Sequence, residues 1–278
     1  SPNIAVVTNI SPDHLDIHGS YEEYINAKKY IFKNAKKNSI LVLNSEDEIV
    51  KNFAHEFEGE VRYFGTNSNL DTYYLKENKI WNKEKEIIDT TKLILKGKHN
   101  YINICAALSA IKDFIKDTSN LEAILKNIPS VPHRLEFVRE INGVKWYNDS
   151  ASTTPDKCLG GLSAFSEKIV LIAGGSDKNI PYTPLAKPVT EKVSKLILFG
   201  QTKNKIYDAV MEEVKRTNNR SLKIYVLDDL ESAISVAKKV AVSGEVVLFS
   251  PASASFDMFK NAYQRGDIFK KLVNDIEK

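Results

Sequence analysis

Two kinds of apolar pattern alternate along this chain. Short β-branched or leucine-rich runs read as strands at residues 4–8, 40–43 and 61–64, and again at 169–173, 196–199, 224–227 and 246–249. Between them, helical spacing predicts helices over 21–35, with Tyr24, Ala27, Ile31 and Ala35 on one face, and over about 47–57. A further helix is predicted over 99–114, where Ile102, Cys105, Ala106, Ser109 and Ala110 are spaced for close packing, and a shorter one over 121–128. Residues 72–95 alternate in short lysine-rich pieces, the pattern of antiparallel ribbons on a surface. Asn142-Gly143 between alternating runs at 135–141 and 144–147 predicts a hairpin. Helices near 155–165, 205–215, 230–241 and 258–276 complete a series of β-α units. Strands apolar throughout predict a parallel sheet covered on both faces. Pro129 and Pro132 punctuate the chain where a linker is expected, so two α/β domains are predicted, residues 1–130 and 131–278.

Composition narrows the picture. A chain of 278 residues with 42% hydrophobic and 27% charged residues is long for one core and comfortable for two. A net charge of +3, with lysines dispersed among acids, argues against a nucleic-acid partner. Cys105 and Cys158 lack CxxC or metal-ligand spacing and read as packing residues of a reducing compartment. No apolar run reaches the ~18 residues of a membrane span, and no signal peptide opens the chain, so a cytoplasmic protein without a membrane partner is expected. The chain starts directly on a core-type strand, as a fragment of a longer protein would.

In parallel sheets ligands sit beyond the carboxyl ends of the strands, which selects the turns to inspect. After the first strand, Asp13, His14 and Asp16 offer polar donors suited to a divalent cation beside a phosphate; an Asx turn and helix cap account for the same residues. The run from Trp146 to Thr154 gathers hydroxyls, an amide and a carboxylate before Pro155 opens a helix, an arrangement suited to an anion, or to a multiple N-cap. Gly174-Gly175 lets a ligand approach the backbone, with Lys178 as a compact counter-charge; a plain turn is the alternative. Ser250 to Phe256 follows the last strand, and its hydroxyls are expected to face the same crevice. Three such turns from one parallel sheet should open on one edge.

These residues resemble a known family. ISPDHLDIH, YINAKKYIFKNA, KGKHNYINICAAL, VPHRLEFV, WYNDSASTTP, IAGGSDK and SPASASFDMFKNAYQRGDIF occur in the order seen in Mur ligases, across nearly the whole chain. Asn148-Asp149-Ser150 makes it most similar to the member that adds D-glutamate to UDP-N-acetylmuramoyl-L-alanine. The resemblance implies part of a central ATPase domain followed by a Rossmann-like C-terminal domain. It also implies a cytoplasmic, monomeric enzyme of peptidoglycan synthesis, acting in cell-wall biogenesis, cell shape and division. Its small-molecule substrates would be ATP, UDP-N-acetylmuramoyl-L-alanine and D-glutamate. The implied reaction phosphorylates the alanyl carboxylate, and the amine of D-glutamate then displaces phosphate, with magnesium neutralising charge. The family's glycine-rich phosphate loop is absent, so this stretch alone is expected to be inactive.

Residue by residue, the resemblance implies metal binding at His14 and at Lys28, the latter carbamylated, with His14, Lys28 and Lys178 serving catalysis. Lys29 competes for the Lys28 role, and the spacing from Tyr24 favours Lys28. It implies nucleotide contacts at Asn103, Arg134 and Asp149, flanked by His99, Asn100 and His133, and D-glutamate contacts at Thr153, Lys178, Ser255 and Phe256. Two positions depart from the family: Ala151 stands where a lysine is usual, and Ala262 where an aromatic is frequent. A sister Mur ligase, folylpolyglutamate synthetase, or a non-catalytic nucleotide- or glutamate-binding module are the alternatives.

Overall fold

The computed structural model describes residues 2–10, 19–218 and 221–277. The chain divides into two compact units, Ser1–Ile94 with Lys98–Ile128, and Leu95–Gly97 with Pro129–Lys278. Among the described residues no helix is long and apolar enough to cross a membrane.

In the first unit, β1 (Ile4–Val7), β2 (Ile40–Asn44) and β3 (Glu60–Phe64) form a parallel sheet in that order. Helix α1 (Tyr21–Lys29) starts at Ser20, whose hydroxyl accepts from the Glu23 amide. It is shorter than its apolar spacing predicts. After Lys29 the chain continues in turns, because Phe32 is drawn into the core against Phe53, with ring centroids 5.4 Å apart, while Ile31 stays in solvent. Helix α2 (Glu48–Asn52) is capped by Asp47, which also accepts from the Ile10 amide at 2.9 Å. The lysine-rich stretch folds as β4 (Tyr73–Lys76), β5 (Lys79–Asn82) and β6 (Lys85–Asp89), an antiparallel sheet. Helix α3 (Lys98–Ala110) buries Cys105, Ala106, Ser109 and Ala110, and α4 (Leu121–Lys126) follows.

The second unit is a six-stranded sheet. Its hairpin is β7 (Glu136–Ile141) and β8 (Val144–Asn148), turning on Asn142 and Gly143 with φ of +50° and +75°. Then come α5 (Pro155–Ser163), β9 (Ile169–Gly174), α6 (Thr183–Lys192), β10 (Val193–Phe199), α7 (Lys203–Thr217), β11 (Lys223–Val226), α8 (Leu230–Val240), β12 (Val246–Phe249) and α9 (Ala262–Asn274). The strand order is β11-β10-β9-β12-β8-β7, parallel except for the β7 edge. Alternate residues feed two cores. Leu171, Leu198 and Leu248 pack with Leu162, Val189 and Val210 on one face, and Ile172, Phe199 and Phe249 pack with Ile234 and Phe269 on the other. Three helices, α5 to α7, thus cover one face, and α8 and α9 cover the other.

Three expectations change here. Strand β11, read as fully buried, is the sheet edge, and Val226 is 43% exposed. Helix α6 is not signalled by periodicity, because Pro184 in its first turn and the internal Pro188 read as breakers. The last helix starts only at Ala262, since Asn261 caps it by accepting from the Gln264 amide.

Candidate functional site

Strands β9, β12 and β8 are neighbours and parallel, so their carboxyl ends lie side by side. The three turns that leave them are stitched to one another. The Asp149 amide donates to the Phe249 carbonyl at 2.8 Å, Gly174 to Pro251 at 2.9 Å and Ser176 to Ala254 at 2.9 Å. The glycine pair is sterically required. A Cβ on Gly174 would lie 1.9 Å from the Phe199 carbonyl oxygen, and one on Gly175 would lie 2.2 Å from that of Ala254.

The hydroxyls behave otherwise than their polarity suggests. Ser150, Ser152, Ser250 and Ser253 are all buried and bonded inward. Ser152 and Ser250 donate to Asp149 Oδ2 at 2.6 and 2.7 Å, and Ser253 pairs with Tyr182 and Thr202. They build the turns, leaving Thr153 half-buried and Lys178 and Phe256 exposed at the rim, with Ser255 buried beside Phe256. A polar turn threaded between neighbours must satisfy its own buried groups first, and short hydroxyls do so at least cost.

Arg265 is the residue that sequence reading passed over. It is fully buried on α9, donating to the carbonyls of Ser150 (2.9 Å), Ser253 (3.1 Å) and Ala254 (2.7 Å) and to the Ser150 hydroxyl (3.0 Å). Burial pulls its guanidinium down to about 10, so it stays charged at neutral pH. The available signal was an arginine spaced four residues from Phe269 and eight from Val273, both on the buried stripe of α9.

Arg134 is presented by an unusual turn. It lies exposed between His133 and Leu135, whose φ values are +63° and +45°. Left-handed backbone at a histidine and a leucine costs roughly 1–3 kcal/mol each and persists only where the surroundings enforce it. Here they do. Asp149 Oδ1 accepts from the Leu135 amide at 3.2 Å, and Glu136 Oε2 accepts from the His133 amide at 2.9 Å. The Asn148 side-chain amide bonds to Glu136 at 3.0 Å and lies 3.0 Å from the His133 ring, and Lys270 donates to Glu136 at 3.2 Å. Burial pushes Asp149 up to about 6, against the hydrogen bonds from Ser152, Ser250 and Leu135 and the positive charge of Arg134.

Of the positions implied for the first unit, His14 lies outside the described residues, as do Asp13 and Asp16. Lys28 is exposed on α1, its ammonium 5.0 Å from the centre of the Tyr24 ring, whereas Lys29 is tied to Glu56 at 2.6 Å. Asn103 is exposed on α3. Among the described residues no group of three or more His, Cys, Asp or Glu could hold a metal ion.

The second unit defines a class: a doubly wound α/β domain whose polar turns gather at the carboxyl ends of adjacent parallel strands, the end at which such sheets bind ligands. Residues 1–111 match the Mur ligase middle domain, and residues 133–253 match the domain described as Mur ligase, glutamate ligase domain. The chain belongs to the Mur ligase family. It is 42% identical over 275 residues to the UDP-N-acetylmuramoylalanine--D-glutamate ligase of Clostridium perfringens, covering 99% of this chain and 60% of that protein. The protein of the same name from Acetivibrio thermocellus is 44% identical over 283 residues, covering 100% of this chain and 60% of that one. The chain therefore spans about 60% of the length of the curated relatives it matches. Among solved structures, the UDP-N-acetylmuramate-alanine ligase of Thermotoga maritima superposes with a TM-score of 0.66 at 20% identity, covering 99% of this chain and 60% of that one. At that identity the likeness speaks for the fold alone.

Proposed function

We propose that the whole protein carrying this chain is an ATP-dependent ligase that joins D-glutamate to UDP-N-acetylmuramoyl-L-alanine in peptidoglycan precursor synthesis. The observation that carries this reading is identity of 42% and 44%, across essentially the full chain, to two proteins named for that reaction. The rim of the second unit supports it. Thr153, Lys178, Ser255 and Phe256 all lie on turns at one sheet edge, where an ammonium and backbone amides suit a dicarboxylate. In this reading residues 1–130 supply nucleotide contacts, with Asn103 among them, and residues 131–278 hold the amino acid and contribute Arg134.

The chemistry asks for activation of a carboxylate, since oxide is a poor leaving group. Phosphorylation by ATP makes the acyl carbon accept the amine of D-glutamate, and phosphate departs with the electron pair of the broken C–O bond. Lys178 is proposed to pair with a substrate carboxylate. Magnesium belongs to the same proposal, held by His14 and by Lys28 once carbamylation has turned its ammonium into an oxygen donor. An unmodified Lys28 ammonium does not fit a cation site. The exposure of Lys28, against the ion-paired Lys29, favours Lys28 as the modified residue.

The test is phosphate release by the purified whole protein. Release from ATP is expected only when UDP-N-acetylmuramoyl-L-alanine and D-glutamate are both present. Equal turnover with L-lysine or diaminopimelate in place of D-glutamate would move the protein to a sister activity.

A further inference from the structure

The turn after β9 carries a second conclusion, which rests on the proposed pairing of Lys178 with a substrate carboxylate. Lys178 is exposed at the tip of that turn and forms no ion pair among the described residues. Its neighbour in sequence, Asp177, is an acid. A free carboxylate there would compete for the Lys178 ammonium and repel an incoming dicarboxylate. The fold engages it elsewhere. Asp177 Oδ1 accepts from the Asn179 amide at 2.9 Å, in a turn that Asn179 completes with φ of +56°, and Oδ2 accepts from the Lys205 ammonium. The bond from Lys205, followed by that from the Asn179 amide, holds the Asp177 carboxyl below the usual carboxylate range. Asp257, the acid on the turn after β12, is engaged as well, accepting from the Ser176 hydroxyl at 3.4 Å and the Gln201 amide at 3.3 Å.

We infer that Lys205 is a positioning residue for the carboxylate site: by holding Asp177 aside, it leaves Lys178 as an uncompensated cation at the rim. Lys205 does nothing for its own helix. It lies in the first turn of α7, where the macrodipole disfavours a cation and no acid balances it. Lys203, two residues earlier, is taken by Asp228 at 2.6 Å, whereas Lys205 reaches back to the turn after β9. The Lys205 side chain is 53% exposed, so its ion pair adds little to stability. The base of the turn is held independently, by the Ser176 amide on the Ala254 carbonyl at 2.9 Å and the Thr202 amide on the Gly175 carbonyl at 3.0 Å. What Lys205 contributes is therefore the disposal of a charge.

The test is steady-state turnover by the whole protein, with D-glutamate varied and ATP, magnesium and UDP-N-acetylmuramoyl-L-alanine saturating. Lys205→Met is expected to raise the KM for D-glutamate about fivefold and to leave kcat within about 1.5-fold, as for a loss of binding shared by ground and transition states. The rise should shrink as added salt screens the freed carboxylate, and Lys205→Arg should abolish it. Asp177→Asn keeps an acceptor for the Asn179 amide but carries no charge. Alone it should leave the KM within about 1.5-fold, and combined with Lys205→Met it should restore the parent value. An unmoved KM in Lys205→Met would overturn the inference. So would a double variant as impaired as Lys205→Met alone, which would show that Lys205 serves the shape of the turn and not its charge. Lys178→Met separates the two readings. If it leaves the KM for D-glutamate unchanged, the carboxylate role of Lys178 fails and this inference fails with it. If it raises the KM while Lys205→Met does not, only the inference fails.

Discussion

Asp149 illustrates how one side chain can be visible in a sequence while its work is not. An acid between Asn148 and Ser150, leaving a strand, announces a polar turn. That its oxygens face inward, onto Ser152, Ser250 and the Leu135 amide, depends on residues up to 101 positions away, beyond the reach of local pattern. Its burial has a measurable consequence. The pKa in the fold, about 6, lies above the ordinary 3.8, so the native state binds a proton that the unfolded chain has lost between those values. The stability this contributes is fully present below about pH 4 and is lost as pH rises through about 6, amounting to about 3 kcal/mol. Asp149→Asn cannot titrate. Relative to the parent, it should gain about 3 kcal/mol between pH 4 and pH 7.5 in urea unfolding. A constant difference across that range would mean that Asp149 titrates near its ordinary value. Lys28 and Lys29 make the complementary case. Adjacent in sequence and chemically identical, they part only when Glu56 claims one of them.

At the scale of elements, most of the fold is readable because one period dominates each segment. Strand β9 is apolar at every position, and it lies in the sheet interior with both faces covered. Asn142-Gly143 supplies the two left-handed residues that a two-residue hairpin demands. Legibility fails where one residue outweighs the period. Phe32 ends α1 early by packing on Phe53, and two prolines disguise α6 although its buried Leu185, Ala186, Val189 and Thr190 lie on one face. Helix α9 is the most consequential element, for Arg265 turns it into a cross-brace between the turns after β8 and β12. Arg265→Met would leave the carbonyls of Ser150 and Ser253 without the guanidinium donor and Ala254 with the Ser176 amide alone. At roughly 1–3 kcal/mol per orphaned buried acceptor, partly relieved by relaxation, a loss of about 3 kcal/mol is expected. Arg265→Lys keeps the charge but not the planar fork, and about half that loss should remain. Urea midpoints of the two variants check this, and a lysine variant as stable as the parent would show that charge rather than geometry is what the turns require.

Across the whole molecule the arrangement of cores decides cooperativity. The first unit gathers Ala5, Leu41, Leu43, Val50, Phe32 and Phe53 around its own sheet, whereas the second sandwiches six strands between two helical layers. Among the described residues none belongs to both sets. Units that each have a core of their own can unfold in separate transitions. Phe53→Ala and Phe269→Ala test it, since both rings are at most 2% exposed and each truncation should cost about 3–5 kcal/mol. In urea, Phe53→Ala should shift only the transition of the first unit, and Phe269→Ala only that of the second. Tryptophan fluorescence separates the two, because Trp81 lies in the first unit and Trp146 in the second. If both variants instead moved one common transition by similar amounts, the two cores would be energetically a single one.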